Sequence, residues 1–409
     1  MTNDKVKHGQ TALLLCLIVP TIKFMTLPIK LYETFGKDFW LGYVLLFAVD
    51  FLCVILMLKA ERINSNNLRI DEILRKSVGV CVAKIVFGVM TAYFFLKFVL
   101  LALDVLQLVG KTLVIKSNWV VFSLLLLVAA FFVIKNGFNT LARLAQFLFV
   151  GVFLSLFAIV VLSVPQCDFV NLRPVLESGV APMFKSALYG GFVFGDGLVF
   201  LLTFGEYDKK SVKNDLKMFF AYFVAAAVTV ALCVVYIALF GPYCGQGSIA
   251  ISKVSQFNIS ASATGRLDWL LIAVWLNAIM LQLFTLAFCC GKCLKFLAGF
   301  PRKKFNVALY VGFSAAVVLL PLFADVDDFF YVYVCKGWVK YVFFVVTFLL
   351  PLLSPLLVKA ANAKTKKGFY GKNKNKNGNN DENENNDKNG SENKNTKNKP
   401  LKVKVGQSE

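Results

Sequence analysis

Histidine is almost missing from this chain, since His8 is the one histidine among 409 residues. Serine–histidine catalysis, cysteine–histidine catalysis and histidine-ligated metal sites therefore have almost no material. The sequence also has no phosphate-cradling loop of the P-loop type. Charged residues make up 17% of the chain, against ~25% in a typical soluble protein. These shortages exclude a soluble enzyme, and we expect neither enzymatic activity nor a cofactor.

Hydrophobic residues are abundant instead, at 58% of the chain with a mean hydropathy of +0.67. They occur in blocks of about twenty residues, the length of a helix that crosses a bilayer. The sequence therefore predicts an all-α polytopic membrane protein with about ten transmembrane helices. The predicted spans are Gln10–Ile29, Phe39–Leu58, Val78–Leu103, Trp119–Ile134, Leu141–Val164, Ala181–Phe204, Met218–Phe240, Trp269–Phe288, Val307–Phe323 and Trp338–Val358.

The net charge of +20 follows membrane topology and does not indicate a nucleic-acid partner. Of the 44 lysines and arginines, 31 lie on the side that ten spans assign to both termini, and 9 lie in the opposite loops. Basic residues favour the cytoplasmic side of a membrane. Both termini are therefore predicted to be cytoplasmic.

Two polar segments flank the predicted spans. The second half of Lys59–Ser77 has apolar residues spaced among charges and predicts a short amphipathic helix at the membrane interface. The C-terminal segment is rich in Asn and Lys and has too few apolar residues to offset its ordering entropy. We expect a transmembrane domain over residues 1–360 and a disordered cytoplasmic tail over residues 361–409. Attraction of this tail to anionic lipid is the functional alternative.

The first and sixth spans carry signs of a broken helix. The first contains Pro20-Thr21 near its middle, followed by Thr26-Leu27-Pro28. The sixth has four glycines in eight residues, and each glycine costs a helix roughly 1 kcal/mol relative to alanine. These glycines are Gly190, Gly191, Gly195 and Gly197.

Spans one and six are the first members of two five-span halves. In transporters built from inverted repeats, broken helices at matching places of the two halves mark the substrate site. Their free N–H groups would face a substrate carboxylate, and their free carbonyl groups a cation or an ammonium. The alternative is that the glycines only allow close helix packing, as small residues do in membranes.

Charged residues inside predicted spans are costly and often functional. Asp196 lies in the glycine-rich break and is the first candidate for a functional carboxylate. Asp50 is mid-span, with ion coupling and a structural pair with lysine as the two interpretations. Lys23 lies near the first break and could neutralise either carboxylate. Lys97 and Asp104 are seven residues apart and share a helix face, whereas Lys84 is predicted to extend toward the interface.

Ten cysteines raise two further possibilities. Cys289, Cys290 and Cys293 have no fourth ligand, so we expect no metal site there and interpret them as small apolar side chains. The outward cysteines leave a disulfide open. These are Cys167, Cys244 and Cys335.

Several strings resemble the B subunit of bacterial spore germinant receptors, a ten-span branch of the amino acid–polyamine–organocation transporter superfamily. The most specific is Asn171-Leu172-Arg173-Pro174, just before the sixth span. The likeness covers Val6 to Val358, and in this chain an acidic residue directly follows Gly195, closer than is usual in that family. The other similar strings are Phe194-Gly195-Asp196-Gly197, Gly265-Arg266-Leu267-Asp268-Trp269 with Trp275, Arg143-Leu144, Thr26-Leu27-Pro28 and Asp38-Phe39-Trp40-Leu41.

The resemblance implies a LeuT-like core, a 5+5 inverted repeat with helices 1 and 6 broken. It also implies a small nutrient such as an amino acid bound between spans one, three, six and eight, and receptor A and C subunits as partners. The implied location is the inner membrane of the spore or the bacterial cell membrane. The residues expected at this site are Pro20, Thr21, Thr26, Tyr93, Gly190, Gly191, Gly195, Asp196, Gly197 and Trp275, with Asp50 and Asp196 as ion-coupling or structural charges.

Three functions are compatible with these features. The leading one is a nutrient-sensing subunit of a spore germination receptor, in which transport is vestigial. The second is an amino acid permease coupled to protons or sodium, with Asp50 and Asp196 as the titratable or cation-binding groups. The third is a pathway for water or ions lined by the same helix break.

Overall fold

The computed structural model describes residues 8–110, 137–177, 179–204, 212–247, 249–257, 267–298, 312 and 337–365. Every regular element within these ranges is a helix. In chain order the α-helices are α1 (His8–Lys23), α2 (Leu27–Phe35), α3 (Phe39–Ile63), α4 (Ile70–Val78), α5 (Val80–Leu108), α6 (Phe138–Ser163), α7 (Val180–Gly190), α8 (Gly197–Leu202), α9 (Val212–Phe240), α10 (Ala250–Phe257), α11 (Leu267–Ala298) and α12, which begins at Val339. Short 3₁₀ turns lie at Val164–Gln166, Phe169–Leu172 and Gly241–Gly245.

Six of the described helices are long and apolar enough to cross a membrane, namely α3, α5, α6, α9, α11 and α12. They coincide with the predicted second, third, fifth, seventh, eighth and tenth spans, so the all-helical, multi-pass membrane architecture is confirmed. The last of them contains a wide π-helical turn at Val345–Leu349 and continues to Thr365. The predicted fourth span lies outside the described residues, as does the ninth apart from Gly312. Ten spans and the 5+5 repeat therefore stay predictions.

The first span is a bent pair of helices, with α1 and α2 meeting at 47°. The break lies over residues 24–26, next to Thr26-Leu27-Pro28, the second of the two predicted signs; helix α1 continues through the first, Pro20, to Lys23. The end of α1 is marked by Phe24, whose N–H is shared between the carbonyls of Pro20 and Thr21 at 3.2 and 3.3 Å. Pro28 then occupies the first turn of α2, where its missing N–H costs nothing.

The sixth span is also divided, because α7 ends at Gly190 and α8 begins at Gly197. Between them the chain forms turns rather than helix. The predicted interfacial helix is present as α4, with Ile70, Ile73 and Leu74 buried against the bundle.

Apolar side chains face outward where a soluble protein would expose charge. Phe147, Val150, Leu154 and Phe157 follow a helical spacing along α6 and are all more than half exposed. The charged residues Lys23, Asp50, Lys97 and Asp196, by contrast, are fully buried within the bundle. This inside-out distribution suits a helix bundle surrounded by lipid.

The described residues up to Ala361 belong to one compact unit. Of the predicted tail, only residues up to Thr365 are described. The domain organisation derived from the sequence therefore stays a prediction.

Candidate functional site

The break in the sixth span depends on one glycine with an unusual backbone. Gly195 has a φ of 83°, a left-handed conformation that residues with a Cβ rarely adopt. A Cβ at this position would also collide with Cγ2 of Thr347, on the π-helical turn of α12. Gly195 therefore allows both the unwound backbone and the close contact with α12.

Two neighbouring glycines serve packing alone. A Cβ at Gly191 would lie 2.9 Å from Phe344, and a Cβ at Gly197 would lie 2.7 Å from Cε of Met57. A Cβ at Gly190 would make only ordinary contacts, the nearest at 3.6 Å to Leu46. The glycine-rich segment therefore has both predicted features. The backbone is unwound at Gly195, and the helices pack closely at Gly191 and Gly197.

Asp196 follows the break and places its carboxylate between two lysines. Its Oδ2 pairs with Nζ of Lys23 at the end of α1, and its Oδ1 accepts a hydrogen bond of 2.8 Å from Nζ of Lys97 on α5. None of the three side chains is more than 1% exposed. Because an unpaired buried charge costs several kcal/mol, each of these ions depends on the others.

The carbonyl group of Phe194, freed by the break, is satisfied from α5. The Tyr93 hydroxyl donates a hydrogen bond to this oxygen, and Lys97 Nζ donates a second at 3.2 Å. Lys97 Nζ also lies 3.4 Å from the Tyr93 hydroxyl oxygen. The third span thus supplies two groups that replace a lost helical hydrogen bond, as a break within a bilayer requires.

The N–H of Gly195 is satisfied from the opposite side of the break. It points at Oδ2 of Asp50 on α3, with 3.4 Å between nitrogen and oxygen, and the hydroxyl of Tyr222 on α9 donates to the same oxygen. We call Lys23, Asp50, Lys97 and Asp196 the buried charge cluster. Its two ammonium groups and two carboxylates balance each other.

Helix α1 is opened locally around Pro20, and α11 completes its hydrogen bonding. Gln282 places its Oε1 3.1 Å from the N–H of Ile22, and the Thr21 hydroxyl contacts the same oxygen. Thr21 also donates to the carbonyl of Ile18 at 2.7 Å. At the end of the break, Thr26 donates to Oδ1 of Asp104 at 3.0 Å.

Two buried donors on α11 have no hydrogen-bond partner among the described residues. They are Nε1 of Trp275 and Nε2 of Gln282. The two residues are seven positions apart, so they lie two turns apart on one face of the helix. Both groups can only donate, and hydrogen-bond acceptors such as carboxylate oxygens are their natural complement.

The structure brings four predicted site residues, Tyr93, Gly195, Asp196 and Asp50, to the sixth-span break and adds some that sequence reasoning missed. Gly195 and Asp196 meet Tyr93, Lys23 and Asp50 around the sixth-span break, as the contacts above define. Tyr222 and Gln282 were not predicted; the available signal was a polar side chain inside an apolar span, which in membranes usually finds a polar partner. Lys84 is exposed near the start of α5.

The cysteines hold no further centre in the described part of the chain, where no group of three or more His, Cys, Asp or Glu side chains is placed to hold a metal ion. Cys289, Cys290 and Cys293 are buried free thiols. Cys167 and Cys244 are free as well, and Cys335 lies outside the described residues. Partial burial raises the pKa of the Cys167 thiol, which keeps it in its less reactive protonated form.

The segment with the most specific sequence resemblance is a loop tied to two neighbours. Asn171 donates to the carbonyl of Ala238 at the end of α9, at 3.1 Å. The carbonyl of Arg173 accepts from Lys37 at 2.8 Å, and the N–H of Leu176 donates to Asp38 at 3.0 Å. This loop therefore connects the entry to the sixth span with the α2–α3 connection.

The chain is similar to a known protein family and to one of its relatives. The model of a family described as spore germination protein matches residues 5–325. Spore germination protein XB of Bacillus anthracis is 23% identical over 181 residues, 41% of this chain and 47% of that protein. The match thus spans about half the length of that relative.

A solved structure is similar over nearly the whole chain. It is MHP1, a nucleobase-cation-symport-1 family transporter, in a closed conformation with bromovinylhydantoin bound. The TM-score is 0.51 at 13% identity, covering 89% of this chain and 94% of the transporter. At this identity the likeness concerns the fold alone.

Proposed function

This chain belongs to the spore germination protein family, and from this premise we propose that it is the nutrient-sensing membrane subunit of a spore germination receptor. It binds a small molecule, such as an amino acid, between its two broken spans. A transporter-like membrane protein agrees with both the family and the fold.

The observation that carries this proposal is the sixth-span break at Gly195. Its freed backbone groups, like those near Pro20 in the first span, are satisfied by side chains of neighbouring spans, an arrangement typical of transporter substrate sites. The unpartnered donors of Trp275 and Gln282 suit a ligand carboxylate. The proposed site thus has donors for the acid group of an amino acid.

We propose that this subunit has ten spans in a LeuT-like 5+5 inverted repeat and both termini in the cytoplasm. Its proposed partners are the receptor A and C subunits, in the inner membrane of the spore. The relative from Bacillus anthracis, a spore germination protein by name, supports this assignment. Because MHP1 is seen with a hydantoin bound, hydantoins are the alternative to amino acids as the ligand class.

A binding screen tests the proposal. The purified full chain in detergent is heated in the presence of each of the twenty L-amino acids, and of bromovinylhydantoin as the rival ligand. A ligand that binds the folded state raises the melting temperature according to its concentration and affinity. We expect at least one amino acid to stabilise the wild-type chain and to have no effect on Gly195→Leu. Stabilisation by the hydantoin alone would overturn the proposed ligand class.

Counterflow uptake separates sensing from transport. Proteoliposomes that hold this chain alone are loaded with unlabelled L-amino acids and exposed to a labelled mixture, with Gly195→Leu as the control. We expect no uptake by the isolated subunit, whose binding response then couples to its partners. Uptake that is lost in Gly195→Leu would identify a working permease instead.

A further inference from the structure

The ammonium group of Lys23 lies in surroundings that resemble a binding site for a free cation. The carbonyl oxygen of Val19 lies 3.0 Å from Nζ, and Oδ2 of Asp196 is in direct contact with it. The ring centroids of Phe194 and Phe47 lie 4.9 and 5.8 Å from Nζ. A carbonyl oxygen, a carboxylate and aromatic faces are the usual recognition elements for an organic ammonium ion.

The surroundings of Lys23 are themselves fixed by other residues. Lys97 holds the second oxygen of Asp196 at 2.8 Å, so the carboxylate keeps its orientation toward Lys23. Tyr43 donates a hydrogen bond of 2.7 Å to the backbone carbonyl of Lys23, at the end of α1. These contacts orient the carboxylate of Asp196 and the end of α1 around the Lys23 side chain.

We infer that Lys23 is a tethered cation, which fills a built ammonium site between the two broken spans. Nothing else in the buried charge cluster is left to be neutralised by a free ion, because Lys23 and Lys97 already balance Asp50 and Asp196. The site takes a primary ammonium rather than a metal ion, since it offers two oxygen ligands and two aromatic rings where hard metal cations need about six oxygens. The site itself consequently needs no sodium or potassium.

Truncation of the side chain tests the inference directly. Lys23→Ala removes three methylene carbons and the ammonium, which together correspond to n-propylammonium. We expect Lys23→Ala to melt below the wild type and to regain at least about 3 °C, in a saturable manner, when n-propylammonium chloride is added. Propan-1-ol, which has the same chain without the charge, should have no effect. Ionic strength is held constant with choline chloride.

Matched variants exclude unspecific effects of the amine. Lys23→Met fills the space with an uncharged side chain of similar length, so it should not respond to n-propylammonium, and neither should the wild type. If Lys23→Met or the wild type responded to n-propylammonium as strongly as Lys23→Ala, the inference would be overturned. The absence of any response in a Lys23→Ala protein that melts cooperatively would also overturn it.

A second arm requires no variant. The melting temperature of the wild type is measured in sodium, potassium and choline chloride at equal ionic strength, and we expect the same value in all three. A saturable stabilisation by sodium or potassium would show a free cation site and contradict the tethered role of Lys23. This arm also covers the case in which Lys23→Ala does not fold.

The role of Lys23 in ligand binding rests on the proposed function, but neither arm uses a nutrient ligand. Rescue by n-propylammonium without binding of any amino acid would leave the ammonium site in place and refute the proposed ligand. Sodium-dependent binding of an amino acid would support the proposed ligand and refute the role of Lys23 as the cation.

Discussion

Asp50 accepts a hydrogen bond from the backbone N–H of Gly195, across 3.4 Å between the second span and the sixth. The N–H is available because the chain leaves the helical conformation at Gly195, where φ is 83°. A carboxylate in the middle of an apolar helix is thus explained by a backbone group in another helix.

Substitution of Gly195 by alanine should destabilise the protein by two separable effects. The left-handed backbone costs a residue with a Cβ about 1–2 kcal/mol, and the collision with Thr347 adds about 1–3 kcal/mol. Gly179 also has a φ of 83° and has open space around its Cβ position, so Gly179→Ala shows the cost of a positive φ without a collision. Thermal melting of both variants measures the difference.

A third variant checks the steric part. Thr347→Ser removes the methyl group that a Cβ at Gly195 would meet. The double variant Gly195→Ala/Thr347→Ser should recover part of the loss, whereas Gly179→Ala/Thr347→Ser should recover none. Equal behaviour of the two pairs would show that Thr347 does not limit this position.

Asp196→Asn should be severely destabilising. The substitution leaves the ammonium groups of Lys23 and Lys97 facing a neutral amide in a buried site, and removal of one partner of a buried pair costs about 3–5 kcal/mol. Lys97→Met combined with Asp196→Asn restores the charge balance of the cluster. We expect the double variant to give more folded protein in size-exclusion chromatography than Asp196→Asn alone; a lower yield would refute charge balance as the cause.

Tyr222→Phe should cost more than an otherwise similar change elsewhere in the same helix. The Tyr222 hydroxyl donates to the carboxylate of Asp50, and a hydrogen bond to a charged group contributes about 1.5–3 kcal/mol. Tyr236 donates to the neutral carbonyl of Cys244, where the contribution is about 0.5–1.5 kcal/mol. Melting of Tyr222→Phe and Tyr236→Phe compares the two, and equal losses would argue that Asp50 is not ionised.

Trp275→Phe tests the proposed contact between α11 and the ligand. Nε1 of Trp275 has no partner among the described residues, so its removal breaks no described hydrogen bond. If this group donates to the ligand carboxylate, affinity falls by roughly tenfold, which corresponds to about 1.4 kcal/mol. Titration calorimetry with the amino acid found in the screen measures this change. Unchanged affinity would place Trp275 outside the site.

Gln282→Met tests a structural contact on the same face of α11 as Trp275. It removes the oxygen that accepts the N–H of Ile22 and contacts the Thr21 hydroxyl, and the loss of such a hydrogen bond costs about 0.5–1.5 kcal/mol. The melting temperature should therefore fall in Gln282→Met through a lost hydrogen bond, whereas in Trp275→Phe it falls only through the smaller volume of a fully buried side chain.

The sequence was sufficient for the six described spans and for the glycine-rich break, because apolar block length and local glycine density are local properties. It could not reveal the polar partner of the first span near Pro20, since Gln282, which accepts from the N–H of Ile22, lies 260 positions further along the chain. The partners of Asp50 and Asp196 could not be assigned for the same reason. Each pairing depends on how distant helices pack, and no local pattern records that packing.

The pairing of Lys23 with Asp196 also constrains how the protein is made. The two residues are separated by 173 positions, and at ~5–20 residues per second the ribosome reaches Asp196 roughly 9–35 s after Lys23. Throughout this interval the first span carries an ammonium group whose carboxylate does not yet exist. The N-terminal half can therefore reach its final arrangement only after the sixth span has entered the membrane, and assembly of the bundle is ordered by the arrival of one aspartate.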